Sequence, residues 1–163
     1  MSERSDRNFY RFRSAWRLDA PRGDVYDALE ELRRYPDWWP EIKRVRQIDD
    51  QTAEVTCQAT LPYELVFVTT QERRDRAAGV LEARMVGDLD GFSRWTITDD
   101  GRGTLAVFDE EVVATKRLLQ VLAPVARPVF KANHELMMRH GQRGLRTYVS
   151  GVALGRERAT ESE

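Results

Sequence analysis

One cysteine, two histidines and three lysines are all that this 163-residue chain holds of those types, and each scarcity excludes something. Cys57 has no partner for an intramolecular disulfide, so nothing points to an oxidising compartment. His134 and His140 stand six residues apart on a helical stretch and point to different faces, with Cys57 on a distant strand. A structural zinc site takes about four such ligands, so neither a metal nor a cofactor is expected. No G-x-G-x-x-G follows a strand and no G-x-x-x-x-G-K is present, which argues against dinucleotide and P-loop chemistry. A nucleophile elbow is missing as well. Long apolar runs are also absent: none approaches the ~18 residues of a membrane span, and residues 1–7 lack the apolar core of a signal peptide. A cytoplasmic domain without integral membrane association is the expectation.

Excess charge is lacking too. The formal net charge is -1 and the pI about 6.2, so no global positive field recruits nucleic acid or anionic lipid. Lys43, Lys116 and Lys131 are the only basic residues that are not arginine, a bias that reads as coding preference. The clusters Lys43–Arg46 and Arg139–Arg146 read as solvated faces.

What remains is patterned. Residues 1–7 and 151–163 carry few large apolar groups and read as disordered tails around one domain at 8–150. Tyr10, Phe12, Ser14, Trp16 and Leu18 alternate with Arg11, Arg13 and Arg17, as in a half-buried strand. Pro21 suits the first position of a short helix with Val25, Tyr26, Leu29 and Leu32 on one stripe. Tyr35-Pro36-Asp37-Trp38-Trp39-Pro40 reads as a second very short helix or corner, from which one of the two indoles is expected to stand exposed at a rim.

From Ile42 to Ala114 the period is two, and turn signals divide the stretch into about six strands. Ala53, Val55, Cys57, Ala59 and Leu61 share one face. Across a hairpin at Asp99–Gly103, Trp95 and Ile97 are expected to face Val107 and Leu105, which carries Asp109 onto the inner face opposite Ser93. A one-residue slip would turn Glu110 and Phe108 inward instead. After Lys116 the period is helical. Pro124 and Pro128 are expected to break or restart the helix, and a final helix runs from about Pro128 to Tyr148. Its stripe is Phe130, His134, Met137, Met138, Gly141, Leu145 and Tyr148. Gly141 and Gly144 each cost roughly 1 kcal/mol in a helix and make sense if another backbone lies close.

The order strand, two short helices, six strands, long helix predicts an α+β helix-grip fold: a seven-stranded curved antiparallel sheet around a long C-terminal helix. The gap between a curved sheet and a straight helix is either packed or a pocket. Its candidate walls are Phe12, Trp16, Trp38, Trp39, Phe67, Met85, Trp95, Val107, Phe130 and Met138, with Asp109 and His134 as polar members. Asp109 and His134 are also the candidates for acid–base work, although each equally suits a satisfied structural role.

The Ala20-Pro21 helix start, the Tyr35–Pro40 corner, the Ser93–Ile97 strand with its Gly-rich hairpin and the Glu110-Glu111-Val112 strand end together resemble the SRPBCC superfamily over about residues 8–150. That superfamily includes START lipid-transfer domains, the birch-pollen-allergen type and polyketide cyclase/dehydrase-like proteins, and the last branch is the most similar. The resemblance implies a cavity for a hydrophobic small molecule such as a lipid, quinone or polyketide-like compound. It also allows an aromatase/cyclase reaction by aldol closure and dehydration, or a protein-interaction module using Trp38 or Trp39 and the Arg-rich helix end. The expected state is monomer or homodimer.

Overall fold

A computed structural model describes residues 8–59 and 63–161. The elements follow in the order β1 (Phe9–Leu18), α1 (Arg22–Glu30), a 3-10 turn (Leu32–Arg34), α2 (Tyr35–Trp38), β2 (Ile42–Gln47), β3 (Thr52–Cys57), β4 (Leu65–Asp75), β5 (Val80–Gly87), β6 (Leu89–Asp99), β7 (Thr104–Ala114) and α3 (Arg117–Glu161). The strands form one antiparallel sheet in the order β1-β7-β6-β5-β4-β3-β2. This is the helix-grip α+β arrangement the patterning predicts. The Leu61 position of the Ala53–Leu61 alternation lies outside the described residues, as do residues 1–7.

Alternation in β1 does what it promises: Tyr10, Trp16 and Leu18 are buried, while Arg11, Arg13 and Arg17 point out. Pro21 sits one position before α1, and its carbonyl accepts from the Asp24 and Val25 amides at 3.0 and 3.2 Å. A residue without an N–H loses nothing there.

The β6–β7 register differs from the sequence expectation by one residue. Asp99 pairs with Thr104, so the loop holds four residues, and Trp95 lies opposite Phe108 and Ile97 opposite Ala106. The side chains of the loop set its length: Asp100 Oδ1 accepts from the Arg102 and Gly103 amides at 3.1 and 2.9 Å, and Asp99 Oδ1 from Gly101 at 2.7 Å. One residue of slip exchanges the faces of the whole strand. Phe108 and Glu110 therefore point inward, while Val107 and Asp109 point outward.

The last helix is longer than its apolar stripe implied. It runs unbroken from Arg117 to Glu161 through Pro124 and Pro128. Both prolines are exposed, so solvent can satisfy the carbonyls of Gln120 and Pro124 that lose their helical donors. Residues 151–161, expected as part of a tail, continue this helix, and Arg156 pairs with Asp24 of α1 at 2.6 Å.

Trp38 and Trp39 are both buried, against the expectation that one stands exposed. They stack with ring centroids 5.4 Å apart, and Trp16 meets both edge-on. Room for this comes from α3: a Cβ on Gly144 would lie 1.6 Å from the Trp38 carbonyl oxygen, and one on Gly141 2.6 Å from the Trp39 ring. The two helical glycines are thus the point where α2 seats against α3.

Candidate functional site

Between the concave face of the sheet and α3 lies a cavity of about 650 Å³. Its floor consists of inward residues from β3 to β7, including Val55, Phe67, Met85, Trp95 and Phe108. Phe130, Asn133, His134, Met137 and Met138 of α3 form the roof, and Tyr35 and Trp39 close one side. At its exposed rim the lining turns polar, with Asp27, Arg33, Gln47, Asp50, Gln51 and Arg74. An apolar interior with few convergent polar groups, in this size range, is how small-molecule sites are built.

Of the sequence-predicted walls, Phe12, Trp39, Phe67, Met85, Trp95, Phe130, His134 and Met138 line this cavity. Trp16 and Trp38 do not. Trp16 is 1% exposed and braces Trp39 and Trp95 from behind, at 5.4 and 4.8 Å between centroids. Val107 and Asp109 are on the other face of the sheet, because of the register described above. There Asp109 approaches Arg13 at 3.6 Å.

Glu110 takes the place foreseen for Asp109. Its Oε2 lies 3.1 Å from His134 Nε2, with the two side chains 8% and 13% exposed. An ionised carboxylate only accepts, so Nε2 is the donating nitrogen and Nδ1 is left free of a proton in the neutral ring. Phe12 lies flat on the same imidazole, ring centroids 3.7 Å apart and 10° from parallel. Strand β1, strand β7 and helix α3 thus fix the ring from two directions.

Two further polar groups share this region of the wall. Burial, reinforced by the negative charges of Glu110 and Asp88, pushes the Cys57 thiol up to about 12. Tyr63 is held above the ordinary tyrosine range chiefly by burial, and its buried hydroxyl has no hydrogen-bond partner among the described residues. On the far side Tyr35 donates to the Leu29 carbonyl at 2.7 Å, and burial raises its pKa as well. Among the described residues no group of three or more His, Cys, Asp or Glu side chains could hold a metal ion.

A model of the family described as polyketide cyclase/dehydrase and lipid transport matches residues 11–149. The chain belongs to that family. Fold comparison agrees with the assignment. The Zhui aromatase/cyclase from a Streptomyces species superposes with a TM-score of 0.74 at 14% identity, over 87% of this chain and 94% of that one. A START superfamily protein from Mycobacterium smegmatis gives 0.65 at 19% identity, covering 88% and 98%. A di-domain aromatase/cyclase, BexL, gives 0.68 at 17% identity, covering 88% of this chain and 50% of its own length. No curated protein matches by sequence. At these identities the neighbours establish the fold of this polyketide cyclase/dehydrase and lipid transport family member and nothing of its chemistry.

Sequence reasoning did not place Glu110, Phe108, Tyr63 and Met137 among the walls. For Glu110 and Phe108 a usable signal exists in β1. Arg11 and Arg13 lie on its outer face, and their cross-strand partners are Glu111 and Asp109. Matching those charges puts the odd-numbered carboxylates of β7 outside and Glu110 inside. Tyr63 follows Pro62 in a stretch whose sequence has no periodicity to orient it.

Proposed function

We propose that this protein binds a largely apolar small molecule of lipid, quinone or polyketide-like chemistry between sheet and helix, and carries it without making or breaking a bond. The observation that carries this reading is the 650 Å³ cavity with its aromatic and aliphatic interior. The Tyr63 hydroxyl supports a ligand with an oxygen acceptor, since a buried unpaired donor costs about 1–3 kcal/mol. Native mass spectrometry of the purified protein tests the proposal directly, by the mass of whatever accompanies it. Titration with polycyclic or long-chain ligands is the second measurement. Trp39 and Trp95 line the cavity, so bound ligand is expected to quench tryptophan emission and raise Tm by mass action, and Trp95→Ala is expected to weaken both. The absence of both a bound mass and a saturable titration would sink the reading.

The His134–Glu110 pair favours a second reading, a cyclase/dehydrase. His134 would take a proton from the carbon between two ketones. The carbanion would attack a second carbonyl carbon of the same chain, the alkoxide would regain a proton, and loss of water would follow. Turnover of a poly-ketone mimic that His134→Gln lowers by about 10²–10⁴-fold, with affinity unchanged, is the result that decides for it. The interaction-module reading loses its indoles, because Trp38 and Trp39 are both buried, and keeps only the exposed Arg139, Arg143 and Arg146 of α3.

A further inference from the structure

Apart from Ile48 and Val86, every large apolar side chain that stands exposed among the described residues belongs to α3. Leu118, Val121, Leu122, Val125, Val129 and Leu136 recur at three-, four- and seven-residue steps, so they form one stripe. That stripe runs roughly 27 Å along the helix. Val121 and Val125 are 71% and 82% exposed, which no packing among the described residues explains. The opposite face of the same stretch is also apolar, but buried: Leu119, Ala123 and Phe130. A helix with apolar groups on two opposed faces has a second surface to cover.

The charges say what covers it. From Arg117 to His134 the helix holds Arg117, Arg127 and Lys131 and no carboxylate. Arg117 and Lys131 are exposed and fall on one flank of the stripe at 100° per residue. Arg127 is turned inward over the Tyr10 ring, 4.6 Å from its centroid. The first acid, Glu135, is engaged by Arg139 at 2.6 Å. In a twofold pairing with a second copy, no carboxylate of this segment would answer the cationic flank, and in the antiparallel pairing cations would face cations. An apolar stripe edged by cations suits the boundary between acyl chains and anionic headgroups.

We propose that the exposed face of α3 between Arg117 and Leu136 docks on an anionic lipid surface. The near-zero net charge of the whole chain conceals this local pattern. Docking would set the helix that roofs the cavity, through Phe130, His134 and Met137, against the lipid. The proposal stands whatever the cavity holds, and its test needs no cavity ligand.

Co-sedimentation with vesicles decides it. Wild-type protein is expected to sediment with phosphatidylcholine vesicles carrying phosphatidylglycerol at about three to one, to ignore phosphatidylcholine alone, and to be released by high salt. Val121→Glu combined with Val125→Glu should lower the partition by about tenfold or more, with far-UV circular dichroism and Tm unchanged. Arg117→Glu with Lys131→Glu should do the same, and decides the matter if the valine variant fails to fold. Absence of binding to either vesicle, or equal binding to both, overturns the proposal. So does a lipid-free dimer that the valine substitutions dissolve, which would assign the face to a second copy.

Discussion

Glu110 Oε2 lies 3.1 Å from His134 Nε2, joining β7, the middle strand of the β1-β7-β6 edge, to α3 at the cavity wall. Each group answers the polar demand of the other in a place water hardly reaches. Glu110→Ala should therefore leave a buried imidazole donor unpaired and cost about 1–3 kcal/mol. Asp109→Asn, one residue away but on the outer face, should stay within about 0.5 kcal/mol of wild type. Urea unfolding of the two variants measures the difference, and equal losses would contradict the β6–β7 register.

Two glycines of α3 should respond to alanine in opposite directions. At Gly144 the new Cβ would meet the Trp38 carbonyl, so α2 and α3 must part, and a loss of about 3 kcal/mol or more is expected. At Gly151 nothing lies within 4 Å of that position, and alanine should gain about 0.5–1 kcal/mol from helix propensity alone. Thermal denaturation of both variants is sufficient.

Filling the cavity should separate binding from stability. Ala83 lines it from β5, so Ala83→Phe is expected to lower the amount of co-purifying or added apolar ligand by about tenfold or more while Tm holds or rises. Unchanged ligand retention would place any ligand elsewhere.

Alkaline pH should weaken the fold. The Cys57 thiol titrates at about 12 in the folded chain against an ordinary value of 9.0. Between those values the unfolded chain has released a proton that the folded one keeps, so stability is full below about pH 9 and falls as pH rises toward 12. Tyr10, Tyr35 and Tyr63, all raised mainly by burial, add to the same loss above pH 10. Denaturant midpoints from pH 8 upward should decline, with a shallower slope in Cys57→Ala near pH 9. Thiol reagents should label Cys57 slowly until denaturant is added.

Most of the architecture was readable because it depends on local periodicity. The change from period two to a helical period after Lys116, with a short helix after Pro21, is written in neighbouring residues. So is the inner face of β1, where Tyr10, Phe12, Trp16 and Leu18 share one parity and Arg11, Arg13 and Arg17 the other. β7 was not readable in this way. Both of its faces carry apolar residues, Ala106, Phe108 and Val112 on one and Leu105, Val107 and Val113 on the other, so apolar alternation within β7 does not say which face is inside, and the loop length sets it. That length is decided by the Asp99 and Asp100 carboxylates capping loop amides, a matter of three-dimensional hydrogen bonding.

The same division holds elsewhere. The sequence alone determined the seven strands, their antiparallel order of connection and the apolar stripe of α3, because hydrophobic spacing acts residue by residue. It also pointed to the need for close approach at Gly141 and Gly144. Only the tertiary structure decided that two adjacent indoles could both be buried, since that depends on α3 offering a surface without side chains at the right height. It decided that Glu110 and not Asp109 meets His134. It also decided that Val121 and Val125 stay exposed among the described residues, because burial is a property of what the rest of the fold brings near and not of the residue itself.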